Sequence, residues 1–224
     1  MKITKHAQSC LLIETSHSRI LVDPGKFVFE DEKLSPNSFD EIDLLVVTHE
    51  HPDHFDYENI KEIIQNNSGL KILSTSSVVG IIANDYPDVN AKVIGDGIDW
   101  EFDGFKIRGS ISKHGPLPNG NRPPVVSGFL IVENDTKKTF YDPGDTVVLD
   151  PTAKAEIIAA PICGKVVMDI SQAKSELKKL MPKNVIPIHY DNSVFPVKVK
   201  DFQIAMENSG IEVITLAWGQ TFEL

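Results

Sequence analysis

The sequence predicts an α/β fold, more narrowly α+β, in which two β-sheets pack face to face with helices outside. Apolar, strand-like runs recur in both halves of the 224-residue chain, and stretches of helical spacing follow them. Polar residues with metal-ligand chemistry recur where those apolar runs stop, as if one rim collected them. The chain shows no linker, low-complexity tract or short-period repeat. It reads as one domain, 1–224, with pseudo-repeated halves of roughly 1–125 and 126–224.

The first half opens with strands over Met1–Lys5, Cys10–Glu14 and Arg19–Val22, with Ser16-His17-Ser18 as a hairpin turn. Asp23-Pro24-Gly25 stops the third strand, and Lys26 to Asp40 reads as a long loop. Leu44-Leu45-Val46-Val47 has the continuous apolar character of a buried strand. Tyr57 to Gln65 has helical spacing through Ile60, Ile63 and Ile64, and Asn66-Asn67-Ser68-Gly69 ends it. A strand at Lys71–Leu73, a helix over Ser76–Ala83, and strands at Ala91–Ile94, Trp100–Phe102 and Phe105–Ser112 follow.

The second half repeats the theme. Gly128–Val132 and Lys138–Tyr141 form a hairpin around Asn134-Asp135, and Glu156–Ala160 is another buried strand. Asp169 and Gln172 make a capping box that opens a helix ended by Met181-Pro182. Val185–Ile188 is a strand running into His189. A helix over Val199–Asn208 and strands at Glu212–Leu216 and Gln220–Leu224 close the chain.

Composition bounds the function. A hydrophobic fraction of 41% and a charged fraction of 24% are ordinary for a globular protein. No apolar run approaches a membrane span, and the N-terminus lacks a signal-peptide pattern, so no membrane partner is expected. Cys10 and Cys163 cannot build a disulfide framework, which points to a cytoplasmic location. A formal net charge of −10, with no basic tract, disfavours nucleic acid and leaves a small molecule as the expected substrate.

Thr48-His49-Glu50-His51-Pro52-Asp53-His54 is the most informative segment. Imidazoles and a carboxylate are the ligand set of zinc and its first-row neighbours. His49 and His51 alternate along extended backbone and can grip one ion. Asp53 and His54 aim elsewhere, which suits a second ion. Four more polar residues end apolar strands: His114, Asp145, His189 and Asp23. Taken singly, His114 would be a loop histidine, Asp145 and Asp23 turn formers, and Asp142 a competing ligand in the same turn as Asp145.

Together these residues resemble the metallo-β-lactamase-fold hydrolases, whose fold is a four-layer αββα sandwich. The H-x-H-x-D-H motif of that family is matched by His49, His51, Asp53 and His54. The resemblance implies that His49, His51 and His114 hold one ion and that Asp53, His54 and His189 hold the other. Asp145, in the Gly144-Asp145-Thr146 frame, would bridge them, and Asp23 would support the ligand loop from behind. Two divalent ions are implied, zinc first, with manganese or iron acceptable to the same donors.

The reaction implied is hydrolysis of a small ester, lactone, amide or phosphoester by a metal-held hydroxide that Asp53 orients. A phosphodiesterase or nuclease of the same fold and an iron-dependent redox protein are the alternatives. Asp53-His54-Phe55-Asp56 and Pro187-Ile188-His189-Tyr190, followed by Phe195-Pro196, resemble the branch containing L-ascorbate-6-phosphate lactonase. Ala7-Gln8-Ser9 and Pro161-Ile162-Cys163-Gly164 depart from that branch's usual Gly-His-Ser and Pro-x-Gly-Gly. Tyr190 and Asn192 are placed to touch substrate. Cys163 reads as a small buried hydrophobe, Trp100 and Trp218 as core or edge aromatics, and His6 and His17 as ordinary histidines.

Overall fold

The computed structural model describes residues 1–30, 34–191 and 196–224. By contact the chain forms two compact units, residues 1–95 with 217–224, and residues 96–216. The contact boundary follows Gly95 because the strands at Asp99–Phe102 and Phe105–Ser110 hydrogen-bond into the sheet of the later residues.

In the first unit the strands are β1 (Lys2–Lys5), β2 (Leu11–Glu14), β3 (Arg19–Val22), β4 (Leu44–Val47), β5 (Lys71–Ser74), β6 (Asn90–Val93) and the returning β14 (Thr221–Glu223). They form a sheet in the order β14-β1-β2-β3-β4-β5-β6. β3 to β6 run parallel, as crossover connections require. The crossovers β4 to β5 and β5 to β6 are α2 (Tyr57–Asn66) and α3 (Ser76–Asp85). All four β4 side chains are buried, and Leu45 and Val47 share one apolar cluster with Ile60 and Ile63 of α2 and Val78 and Ile82 of α3. The helical spacing of Tyr57–Gln65 thus faces the sheet, and Asp56 caps α2 by accepting from the Asn59 amide.

The long loop expected over 26–40 is partly helical. A single turn, α1 (Lys26–Phe29), follows Gly25, and a 3-10 turn spans Pro36–Ser38, closed by reciprocal Ser35 and Ser38 bonds. Both are too short for periodicity to reveal. Val28 and Phe39 anchor them in the core.

In the second unit β7 (Asp99–Phe102), β8 (Phe105–Ser110), β9 (Gly128–Glu133) and β10 (Thr139–Asp142) form an antiparallel meander. β11 (Ile157–Pro161), β12 (Asn184–Ile188) and β13 (Glu212–Val213) add in parallel, giving the order β13-β12-β11-β10-β9-β8-β7. α4 (Ile170–Leu180) connects β11 to β12, and α5 (Val199–Met206) connects β12 to β13. The Asp169–Gln172 capping box forms as the sequence predicts. β11 and β12 are buried throughout, and α4 packs on them through Ala173 and Leu177. No helix among the described residues is long and apolar enough to cross a membrane.

Candidate metal centre

In the first unit, the parallel strands β3 and β4 deliver their C-terminal ends side by side. β3 ends at Asp23, a buried residue in the left-handed region (φ 45). A non-glycine residue held there carries strain that its surroundings must offset. Its carboxylate does so by accepting three bonds: the Thr48 amide to Oδ1 (2.7 Å), the Thr48 hydroxyl to Oδ2 (2.7 Å) and His54 Nδ1 to Oδ2 (2.7 Å). Since the Thr48 proton goes to Asp23, Thr48 Oγ1 can accept from His49 Nδ1, 3.1 Å away. One carboxylate thereby favours one tautomer in two histidines, directly and through a hydroxyl, in which Nε2 is the nitrogen able to coordinate an ion.

His49 Nε2 lies 3.0 Å from His51 Nδ1. Two donors about 2.0–2.1 Å from one tetrahedral ion are separated by roughly 3.3 Å, so this pair has the spacing of a coordination edge. His54 Nε2 and Asp53 Oδ2 are 3.9 Å apart. His49 and His54 are fully buried, whereas the Asp53 side chain keeps 20% exposure and can meet an incoming molecule. Gly25 holds the loop close. A Cβ there would sit 2.0 Å from the Asp53 carbonyl, and the Lys26 amide donates to the Pro52 carbonyl.

In the second unit His189 directly follows β12, while His114 and Asp145 lie in the loops after β8 and β10. Asp145 Oδ2 lies 3.3 Å from His189 Nε2 and 3.7 Å from His114 Nε2, and all three residues are buried. His114 Nδ1 donates to the Gly115 carbonyl (2.7 Å). His114 Nε2 therefore points toward the Asp145 carboxylate, a pairing of donor atoms that a shared cation would use. His189 ends β12 in the left-handed region (φ 56), a second strained donor. Asp142 is also buried, but its Oδ1 accepts from the Gly144 amide and shapes the turn. Of the two aspartates, Asp145 is the one that faces the imidazoles.

Tyr190 is half-buried, its hydroxyl donates to the Leu216 carbonyl, and burial beside Asp191 pushes its pKa up to about 12. Asn192 lies outside the described residues, as does Phe195. Cys163 is buried among Val166 and Val167, the small hydrophobe expected. Trp100 and Trp218 are partly exposed, and His17 is an exposed turn residue. His6 is not ordinary: it is buried edge-on to Phe39 and Trp218, and desolvation beside Lys5 lowers its pKa to about 4. Sequence reading missed Thr48 and Gly25 as supports, although both flank the residues it singled out.

The comparisons with known proteins agree with this chemistry. Residues 2–189 match the family described as the Beta-lactamase superfamily domain. The chain belongs to the β-lactamase superfamily. A UPF0173 metal-dependent hydrolase of Pyrococcus horikoshii is 30% identical over 85% of each chain. Another, of Saccharolobus solfataricus, is 27% identical over 95% of each. Within the superfamily this chain groups with those metal-dependent hydrolases. Igni18, a metallo hydrolase of Ignicoccus hospitalis, is 23% identical, with a TM-score of 0.77 over 100% of this chain and 98% of its own. That likeness shows the fold, the α/β sandwich of the superfamily.

Proposed function

We propose that this superfamily member is a dinuclear metal-dependent hydrolase acting on a small ester, lactone, amide or phosphoester. The observation that carries the reading is the paired facing of donors: His49 Nε2 on His51 Nδ1 at 3.0 Å, and Asp145 Oδ2 on two imidazoles at 3.3 and 3.7 Å. The grouping of the seven residues follows the superfamily's ligand pattern, which the H-x-H-x-D-H motif carries. In this reading His49, His51 and His114 would hold one ion and Asp53, His54 and His189 the other, with Asp145 contributing to both.

Nitrogen and oxygen donors of this kind suit zinc, manganese or iron. Divalent ions so held would lower the pKa of water toward neutrality and polarise a carbonyl or phosphoryl oxygen. The chain's own residues do the rest. Asp23 and Thr48 keep the imidazoles of His54 and His49 in their coordinating tautomers. Asp53, the partly exposed carboxylate, orients the attacking hydroxide and then carries its proton to the leaving group.

The absence of a basic tract at a net charge of −10 favours a small substrate over a polynucleotide. A screen of zinc-, manganese- and iron-loaded protein against lactones, thioesters, β-lactams and phosphodiesters tests the reading. Turnover of a member of the panel, lost on chelation, is expected. A fully loaded protein that turns over none of them, or that consumes oxygen instead, overturns it.

A further inference from the structure

The three donors of the second unit lie in the segments that follow three different strands, β8, β10 and β12, and a single segment ties those three places together. The Ile162 amide donates to the carbonyl of Ile188 (3.2 Å), the residue before His189. The Gly115 amide, next to His114, donates to the carbonyl of Val166 (2.7 Å). The Met168 amide donates to the carbonyl of Thr146 (2.9 Å), the residue after Asp145. Each bond from this segment therefore lands one residue from a proposed ligand.

The segment is itself stiff. Gly164 donates to the Met168 carbonyl (3.0 Å) and Val167 to the Gly164 carbonyl (3.2 Å), which closes a tight turn with Gly164 at φ +73. The Cys163 thiol donates to the Gly164 carbonyl (3.2 Å). Cys163, Val166 and Val167 form an apolar cluster of their own, packed against Leu117 and Val197. The fit to the His114 loop leaves no slack: a Cβ on Gly115 would stand 2.6 Å from the Val166 carbonyl oxygen and 2.9 Å from its carbon. The only partner that could yield there is main chain.

We propose that Ile162–Met168 is a positioning element for the second unit's donors, setting His114, Asp145 and His189 relative to one another through main-chain bonds, with Gly115 as its positioning residue. The inference rests on the ligand assignment above. It adds that metal affinity is controlled from a segment that contributes no ligand. Main-chain links transmit position without depending on side-chain identity, so the composition of the segment can vary while its geometry holds. Supports outside the ligand set typically influence metal affinity about 10–100-fold.

Zinc titration of the wild-type protein and of Gly115→Ala, each read alongside the melting temperature of the metal-free form, tests this. The expected result is a protein that still folds, with a lowered metal-free melting temperature, and zinc affinity weakened about tenfold or more. Wild-type zinc affinity in folded Gly115→Ala overturns the proposal, as does a loss of metal-free stability without a loss of affinity. A wild-type protein that binds no zinc, manganese or iron instead overturns the ligand assignment itself.

Hydrogen exchange on the unsubstituted protein covers the case in which Gly115→Ala does not fold. Zinc should slow the amides of Ile162, Gly115 and Met168 together. It should slow them more than the Asn184 amide, which bonds to Glu156 at the far end of the same strands. Slowing of Gly115 alone, or of all four equally, overturns the proposal.

Discussion

Asp23 Oδ2 lies 2.7 Å from His54 Nδ1, and both residues are fully buried. The same carboxylate receives the Thr48 amide and hydroxyl, so three donors converge on one anion. An asparagine there offers one acceptor and one donor where only acceptors fit. Asp23→Asn is expected to keep the fold and weaken zinc binding by about 10–100-fold. Thr48→Val, which leaves His54 bonded but removes the relay to His49, should weaken it less. A competition titration against a coloured chelator ranks the three proteins, and equal affinities would remove Asp23 from the account.

Asp53 and Asp145 separate catalysis from metal retention. If Asp145 bridges, Asp145→Ala loses metal at both sites. Asp53→Ala should retain much of the ion held by His49, His51 and His114. Turnover of whichever substrate the screen finds should still fall by about 10²–10⁴-fold, the usual worth of a positioned acid–base group. Metal content and rate on the two variants, measured side by side, decide it. Wild-type metal content in Asp145→Ala would return the role to Asp142.

His6 gives the protein a pH dependence apart from the metal site. Its folded pKa of about 4 lies below the ordinary 6.5, so the native state favours the neutral ring. As pH falls below 6.5 the unfolded chain takes up a proton that the folded chain refuses. Stability is therefore lost between about pH 6.5 and 4 and falls no further from this cause below 4. At 1.36 kcal/mol per unit the loss reaches about 3 kcal/mol. His6→Phe should show a smaller drop in urea midpoint between pH 7 and pH 5 than wild type. Identical drops would mean that the unfolding transition does not sense this ring.

The site was legible in the sequence to the extent that strand ends carry it. Leu44–Val47 is apolar at every position and short, which reads as a buried strand and makes the residues after it a rim. The same logic reached Asp23, His114, Asp145 and His189. The helices α2 and α4 were legible because their apolar spacing and caps are local. Tertiary register was not legible. The Gly115–Val166 contact, the Gly25–Asp53 approach and the Thr48 relay depend on which strands become neighbours, and no local pattern encodes that. The helical turn at Lys26–Phe29 is shorter than a hydrophobic period, and the boundary after Gly95 rests on strand pairing alone.

The central claim is that seven residues, from His49 to His189, complete a two-ion site. Native mass spectrometry of the zinc-loaded protein measures this directly. The account predicts a dominant species carrying two zinc ions per chain, reduced to the bare chain by a strong chelator and restored on adding zinc. A folded protein that stays metal-free at saturating zinc, manganese and iron would contradict it.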